Sequence, residues 1–168
     1  MEHVMRVLIQ RVKKAGVSVK GREISAIGRG LLLFVGIGRE DGPDDCEFMA
    51  NKISKMRIFE DDRGKMNRDI AQVKGQILSV SQFTLYADTK KGNRPGFDKS
   101  ADPDTARDYW QQFNNLLREK DIDVKEGVFA AHMEVEIVND GPVTLLLDSG
   151  EGQGPQLKSR TKVLNISS

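Results

Sequence analysis

A single cysteine, Cys46, excludes an internal disulfide. The only two histidines, His3 and His132, are far apart in sequence, so the clustered ligands of a zinc centre are missing. Neither a metal nor a cofactor is expected. Long apolar runs are also missing. The opening MEHVMRVLIQRV is too short for a signal peptide and no stretch reaches bilayer-spanning length, so no membrane contact is expected. A cytoplasmic location suits the unpaired thiol. Charge of one sign is not in excess: 26 Lys and Arg against 25 Asp and Glu give a formal net charge of +1. Bulk charge therefore announces no nucleic-acid partner; DNA is not expected, and any phosphate contact must be local. There is no Gly-x-Ser-x-Gly elbow, and GIGRED lacks both the rest of a dinucleotide fingerprint and the Gly-Lys-Ser/Thr of a P-loop. An enzyme built from this chain works without an ordinary acid–base apparatus.

What is present suits a packed chain. With 38% hydrophobic and 30% charged residues over 168 positions, one domain can bury roughly two-thirds of its unfolded surface. Residues 1–150 carry the periodic signal, and EGQGPQLKSRTKVLNISS (151–168) reads as a tail. MRVLIQRV predicts a strand over Met5–Val12, VSVKGREISAIG a hairpin turning at Lys20–Gly21, and GLLLFVGIG a fully buried strand. A helix follows, capped by Asp41 or Gly42, with Pro43 in its first turn and an apolar stripe of Cys46, Met49, Ile53 and Met56. EDDRGKMNRD reads as a polar turn, GQILSVSQFTLYAD as a strand and TKKGNRPGFDKSADPD as a long loop. Asp102 and Pro103 open a second helix, striped by Ala106, Trp110, Phe113 and Leu117. IDVKEGVF, HMEVEIV and VTLLLDS are strands, the last two joined by what reads as a tight Asn-Asp-Gly hairpin turn. Strands outnumber helices and mostly arrive in hairpin pairs. That predicts an α/β (α+β) domain with a twisted mixed or antiparallel, barrel-like sheet covered by two helices.

Two segments resist a purely structural reading. In SVSQFTLYAD, strand alternation puts Ser79 and Ser81 with Phe83 and Leu85, and Gln82 and Thr84 with Val80 and Tyr86, so neither face is cleanly apolar. Buried polar groups there would cost free energy unless paired. In IVNDGPVTLLL, Pro142 follows the turn where a strand should donate hydrogen bonds, and proline has no N–H. Gly141 can adopt backbone geometry closed to other residues, and with Pro142 it can hold a carbonyl pointing out of the sheet.

SQFTL (Ser81–Leu85) and NDGPVT (Asn139–Thr144) resemble the two signature motifs of the D-aminoacyl-tRNA deacylases, and MRVLIQRV and GLLLFVGI are similar to that family as well. The resemblance covers roughly Met5 to Asp148 and implies a homodimer with active sites at the subunit interface. It implies hydrolysis of the ester joining a D-amino acid, and to some extent glycine, to the 3′ end of tRNA. The Gly141–Pro142 pair would be cis and enter the partner's pocket, where the Gly141 carbonyl accepts a hydrogen bond from the substrate's α-amino group and an L side chain collides. Ser81, Gln82 and Phe83 would lie against the ester, their backbone N–H groups stabilising its oxyanion, with Thr84 and Leu85 beside them. Thr144 is regarded in the family as a nucleophile or a positioning residue. Since nothing in the sequence supplies a base for its hydroxyl, attack by water helped by the vicinal ribose hydroxyl is favoured, with Thr144 and Ser81 as supports. Phe129, Ala131, Met133 and Val143 match substrate-binding positions, and Arg11 matches an arginine that braces the Gly–Pro element.

Blander readings compete. Thr144 and Ser81 alone are ordinary strand residues, Pro142 an edge-strand proline, and Phe129, Ala131 and Met133 plain core. Arg11 alone is a solvated surface arginine, and His132 reads as structural. Lys13, Lys14, Lys90, Lys91 and Arg94 can meet tRNA phosphates or simply be solvated. Two other functions stay open: a small-molecule esterase or amidase using Thr144, and a non-catalytic dimeric interaction module.

Overall fold

The first and last strands of the domain lie side by side. In the computed structural model, which describes residues 4–150, β1 (Arg6–Val19) has β8 (Glu134–Asp148) along one edge and β2 (Arg22–Ile27) followed by β3 (Gly30–Gly36) along the other, all antiparallel to it. Tail residues 151–168 and His3 lie outside the described residues. The β1–β2 turn comes where expected, Lys20 and Gly21 both taking positive φ, 51° and 78°. β6 (Gln76–Ser81) then runs parallel to β3, and β7 (Asp123–Glu126) parallel to β6. Parallel neighbours need long crossovers, and the two helices supply them. α1 (Pro43–Lys55) lies between β3 and β6, and α2 (Pro103–Arg118) between β6 and β7. The Ser25 hydroxyl donates to the Glu126 carbonyl and so ties β2 to β7. The sheet thereby curls into the expected mixed, nearly closed barrel covered by two helices.

Both helices start where proline and an acid predict. Gly42 is the N-cap of α1 and donates its N–H to Asp45 Oδ2 at 2.8 Å, while the Asp102 carboxylate caps α2 by accepting from Thr105 N at 3.1 Å. Cys46, Met49 and Ile53 of α1, and Trp110, Phe113 and Leu117 of α2, pack on Val7, Ile9, Leu31, Leu33 and Val35 of the sheet. Met56 falls just past the end of α1 and packs on the margin of that core. A second core, inside the curl, holds Val12, Ala15, Val17, Ile27, Leu32, Leu78 and Val80. One strand feeds both. Odd residues of β1 face the helices at Val7 and Ile9, but after the register shift beyond Val12 the odd residues Ala15 and Val17 face the second core.

Three sequence expectations need correction. The first strand is longer than Met5–Val12, because the run continues to Val19, paired with β2 over Ala15–Val19 and with β8 as far as Ser18. The polar turn EDDRGKMNRD contains strand residues, Glu60 pairing with Met66, so β4 (Phe59–Glu60) and β5 (Met66–Arg68) form a small hairpin. The Asn-Asp-Gly run is no hairpin. The chain keeps its direction, and both flanks belong to β8 and pair with β1.

Buried polar groups near the core find partners. Ser79, fully buried, accepts from Trp110 Nε1 at 2.8 Å, which satisfies the polar strand face noted in the sequence. Ser149, also fully buried, exchanges backbone and hydroxyl bonds with Met5, at 2.9 and 3.1 Å, and donates to Asp45 Oδ1 at 2.9 Å. Asp41 sits nearby, accepting from Gly38 N at 2.6 Å. Burial, with Asp45 adding repulsion, outweighs that bond and pushes its pKa up from 3.8 to about 8.

Trp110→Phe should cost about 1–3 kcal/mol in a urea titration, the penalty for an orphaned buried hydroxyl, and adding Ser79→Ala should recover part of it. An unchanged midpoint in the single variant would show that the bond contributes nothing. Asp41 generates a second expectation. An acid whose folded pKa lies above its unfolded value stabilises the fold fully below about pH 4, and that contribution is lost as pH rises through about 8. Thermal unfolding between these limits should therefore decline more steeply with pH in the natural protein than in Asp41→Asn; parallel profiles would refute the assignment.

Candidate active site

The residues singled out in the sequence fall into two groups. The first surrounds a pocket of about 550 Å³ between the end of β6 and the start of α2. Ser81, Gln82 and Phe83 form one wall; Phe129, Ala131 and Met133 form another. Thr84 and Leu85 follow on the same turn but do not line it.

The SQFTL segment is not the strand that its composition predicts. β6 stops at Ser81, and Phe83–Tyr86 form a 3₁₀ turn. Tertiary contacts impose the break. Gln82 N donates to Val35 O at 2.7 Å, Arg6 Nη1 donates to Leu85 O at 3.0 Å, and the buried Tyr86 phenol sits between the carbonyls of Gly36 (3.0 Å) and Val4. Burial raises the pKa of that phenol, so Tyr86 stays a neutral anchor. The Gln82 amide side chain donates to the Thr84 hydroxyl, closing the turn.

This geometry revises the expected oxyanion donors. The Gln82 N–H is occupied by Val35. The first amides of a 3₁₀ turn have no carbonyl of that turn to bond, so the Phe83 and Thr84 N–H groups are the better candidates. Phe83 is 55% exposed and meets Phe97 edge-on at 4.9 Å. Phe97 and Ser100, from the loop read only as Gly/Pro-rich, therefore join the pocket wall, as does His132. His132 is exposed there, so it is no structural core residue.

The second group is a bulge on β8. Val12 pairs with Asn139 and Gln10 with Thr144, so the four residues 140–143 stand opposite Arg11 alone. Gly141 and Pro142 are exposed, and the peptide between them is cis. Pro142 thus forfeits no ladder bond, because the ladder passes it by. Arg11 is no solvated arginine: it is 4% exposed, its Nε lies 3.2 Å from Asp140 O and 3.3 Å from Asp140 Oδ2, and Nη1 donates to Ile58 O at 2.7 Å. Asn139, which the sequence did not single out, closes the bulge from inside. Its Nδ2 donates to Arg11 O (2.9 Å) and to Val143 O (3.0 Å), spanning the protruding residues. Its Oδ1 accepts from the Thr144 hydroxyl at 3.3 Å, and Gln10 Nε2 donates to that hydroxyl at 3.2 Å. Both partners of Thr144 are amides, and neither can take its proton. Within one chain, residues 140–144 do not line the pocket. Cys46 offers no alternative nucleophile, since burial pushes its thiol up to about 12.

The family model for D-Tyr-tRNA(Tyr) deacylase matches residues 8–148. The chain belongs to this deacylase family. It is 51% identical over 147 residues to the D-aminoacyl-tRNA deacylase of Thermotoga petrophila, covering 88% of this chain and 99% of that one. It is also 51% identical over 152 residues to the D-aminoacyl-tRNA deacylase of Dictyoglomus turgidum, covering 90% and 97%. Among solved structures, the c-Myc DNA unwinding element binding protein superposes with a TM-score of 0.79 at 40% identity, over 84% of this chain and 97% of that one. A probable eukaryotic D-amino acid tRNA deacylase shares the fold, with a TM-score of 0.73 at 16% identity over 86% and 99%.

Gly141 of this deacylase tests the bulge. Its φ is +127°, and an added Cβ would stand 2.8 Å from Val143 Cγ2, 3.0 Å from Val143 N and 3.2 Å from Arg11 Nη2. Gly141→Ala should destabilise the fold by about 1–3 kcal/mol and move the amide resonances of residues 139–144. Unmoved resonances and an unchanged thermal midpoint would show that the bulge tolerates a side chain.

Proposed function

We propose that this chain hydrolyses the ester between a D-amino acid, or glycine, and the 3′ end of tRNA, and that it rejects L-aminoacyl-tRNA. Family membership and the deacylase relatives support the reaction class. The observation that carries the mechanism is the pairing of a largely apolar pocket, walled by the SQF turn, with a Gly–Pro bulge held from behind by Arg11 and Asn139.

In this reading the acyl group enters the pocket and its carbonyl oxygen faces the Phe83 and Thr84 N–H groups. Water adds to the carbonyl carbon, negative charge develops on oxygen, and the ribose 3′ oxygen departs with a proton, leaving a free amino acid and tRNA. Fixed donors aimed at such an oxygen lower the barrier by about 3–4 kcal/mol each. The vicinal ribose hydroxyl aids the water, because the Thr144 hydroxyl has only amide partners and no base beside it. Ser81 and Thr144 act as hydrogen-bonding supports.

The handedness gate is the Gly141 carbonyl. The pocket of one chain lacks it, so the site is completed by residues 140–144 of a second copy. β8 favours such a pairing: its outer edge has no strand partner among the described residues, and it exposes Ile137, Val138 and Leu146. The Gly141 oxygen, on a bulge braced by Arg11 and Asn139 through its neighbours, accepts the α-amino proton of a D-substrate, while an L side chain would occupy the space of the dipeptide. The side chain of a D-substrate goes uninspected, and glycine has none to collide. Residues 1–150 are the deacylase domain. A cytoplasmic site of action suits the substrate, and no helix among the described residues is long and apolar enough to cross a membrane.

Purified protein should release amino acid from D-Tyr-tRNA and spare L-Tyr-tRNA by a wide margin; failure to release either a D-amino acid or glycine from charged tRNA would sink the reading. Thr144→Ala should keep measurable deacylation of D-Tyr-tRNA. A wild-type acyl-enzyme trapped at Thr144 and seen by mass spectrometry, together with a dead variant, would make Thr144 the nucleophile instead.

A further inference from the structure

In the deacylase reading the pocket receives an ester, yet no lysine or arginine lines it. The polyanion attached to that ester must therefore be gripped outside. One segment of the rim is built for this. The loop between the 3₁₀ turn and α2 folds back on itself through two backbone bonds between Asp88 and Gly96, 2.9 and 2.8 Å long. Its return leg is pinned: Arg39 Nη1 donates to Asp98 O at 3.1 Å, Arg39 N to Lys99 O at 3.1 Å, and Ala101 N to Ile37 O at 2.9 Å. Phe97 and Ser100 on that leg line the pocket, and Phe97 packs on Phe83. The tip is thereby held at the pocket's edge.

The tip carries Lys90, Lys91 and Arg94, all exposed, and none makes a salt bridge among the described residues. The one carboxylate at the base of the tip is engaged elsewhere: Asp88 accepts from Lys90 N at 2.9 Å and lies 3.7 Å from Lys99 Nζ. Three cations within five residues repel one another on a pinned loop, and phosphate oxygens would relieve that repulsion.

We propose that Lys90, Lys91 and Arg94 form a phosphate-binding rim that grips the single-stranded 3′ end of the tRNA whose ester enters the pocket. The inference rests on the deacylase reading for its substrate and adds the anchor that the pocket lacks. It predicts a contact that is electrostatic and independent of the amino acid carried.

The test compares the full chain with its Lys90→Ala/Lys91→Ala/Arg94→Ala variant, and with Lys52→Ala/Lys55→Ala on the last turn of α1 as a control for bulk charge. The binding probe is a fluorescent, uncharged RNA hairpin with a four-nucleotide single-stranded 3′ overhang, titrated at several salt concentrations. The triple variant should bind at least tenfold more weakly, and the slope of log affinity against log salt should shrink by about 2, the value for three contacts to single-stranded phosphates. The α1 control should change neither. In turnover, kcat/KM on D-Tyr-tRNA should fall mainly through KM, and at least tenfold more than on D-tyrosyl-adenosine, which has the ester and no phosphate. Unchanged RNA binding would overturn the rim, as would an equal fall on the two substrates or an equal loss in the α1 control. If the natural protein hydrolysed neither ester yet bound the hairpin through this loop, the deacylase reading would fall while the rim stood.

Discussion

Arg11 is the residue on which the unusual part of this structure depends. Where β8 has four residues, β1 has one, and that one carries a buried guanidinium. Left without partners, such a charge would be costly; surrounded by the Asp140 and Ile58 carbonyls and the Asp140 carboxylate, it becomes the peg on which the protruding backbone hangs. The bond to Ile58 O brings in the stretch between α1 and β4, which looks remote in sequence but underlies the bulge. Asn139 adds a second clamp across it. Rigidity at the Gly–Pro tip is thus a property of three separate segments of chain.

The SQF turn and the Gly–Pro bulge sit on different strands. The SQF turn exists because β6 ends abruptly at Ser81 and a buried tyrosine pulls the chain into a 3₁₀ turn. The bulge exists because β1 and β8 fall out of step. Neither device needs the other in order to fold, and in one chain they do not share a cavity. This suits the proposed reading, in which hydrolysis uses backbone donors and discrimination uses shape.

The sequence made the frame legible because the frame is local. Pro43 and Pro103 with their acidic neighbours mark helix starts, and the stripes from Cys46 and Ala106 point inward as spacing predicts. What it hid depends on distant partners. FTLY is rich in strand-forming residues, and only Val35, Gly36 and Arg6 turn it into a helical turn. Asn-Asp-Gly looks like a hairpin because a hairpin and this bulge both require positive φ at glycine; β1 decides between them from about 130 residues away. Asn139 and Gln10 were invisible for the same reason, since their amides matter only once the two strands meet. The two motifs marked the segments, but their hydrogen-bond geometry had to be observed, and it moved the proposed donors from Gln82 toward Phe83 and Thr84.

The seam between β1 and β8, fastened by Ser149 against Met5, also constrains how the molecule is made. During synthesis β1 leaves the ribosome with one edge bare, and β8, which covers it, follows only after every other strand of the sheet. Until then the nascent chain carries a long β-template open to other polypeptides, and closure demands contacts between distant segments of the domain, which is the slow kind of folding step.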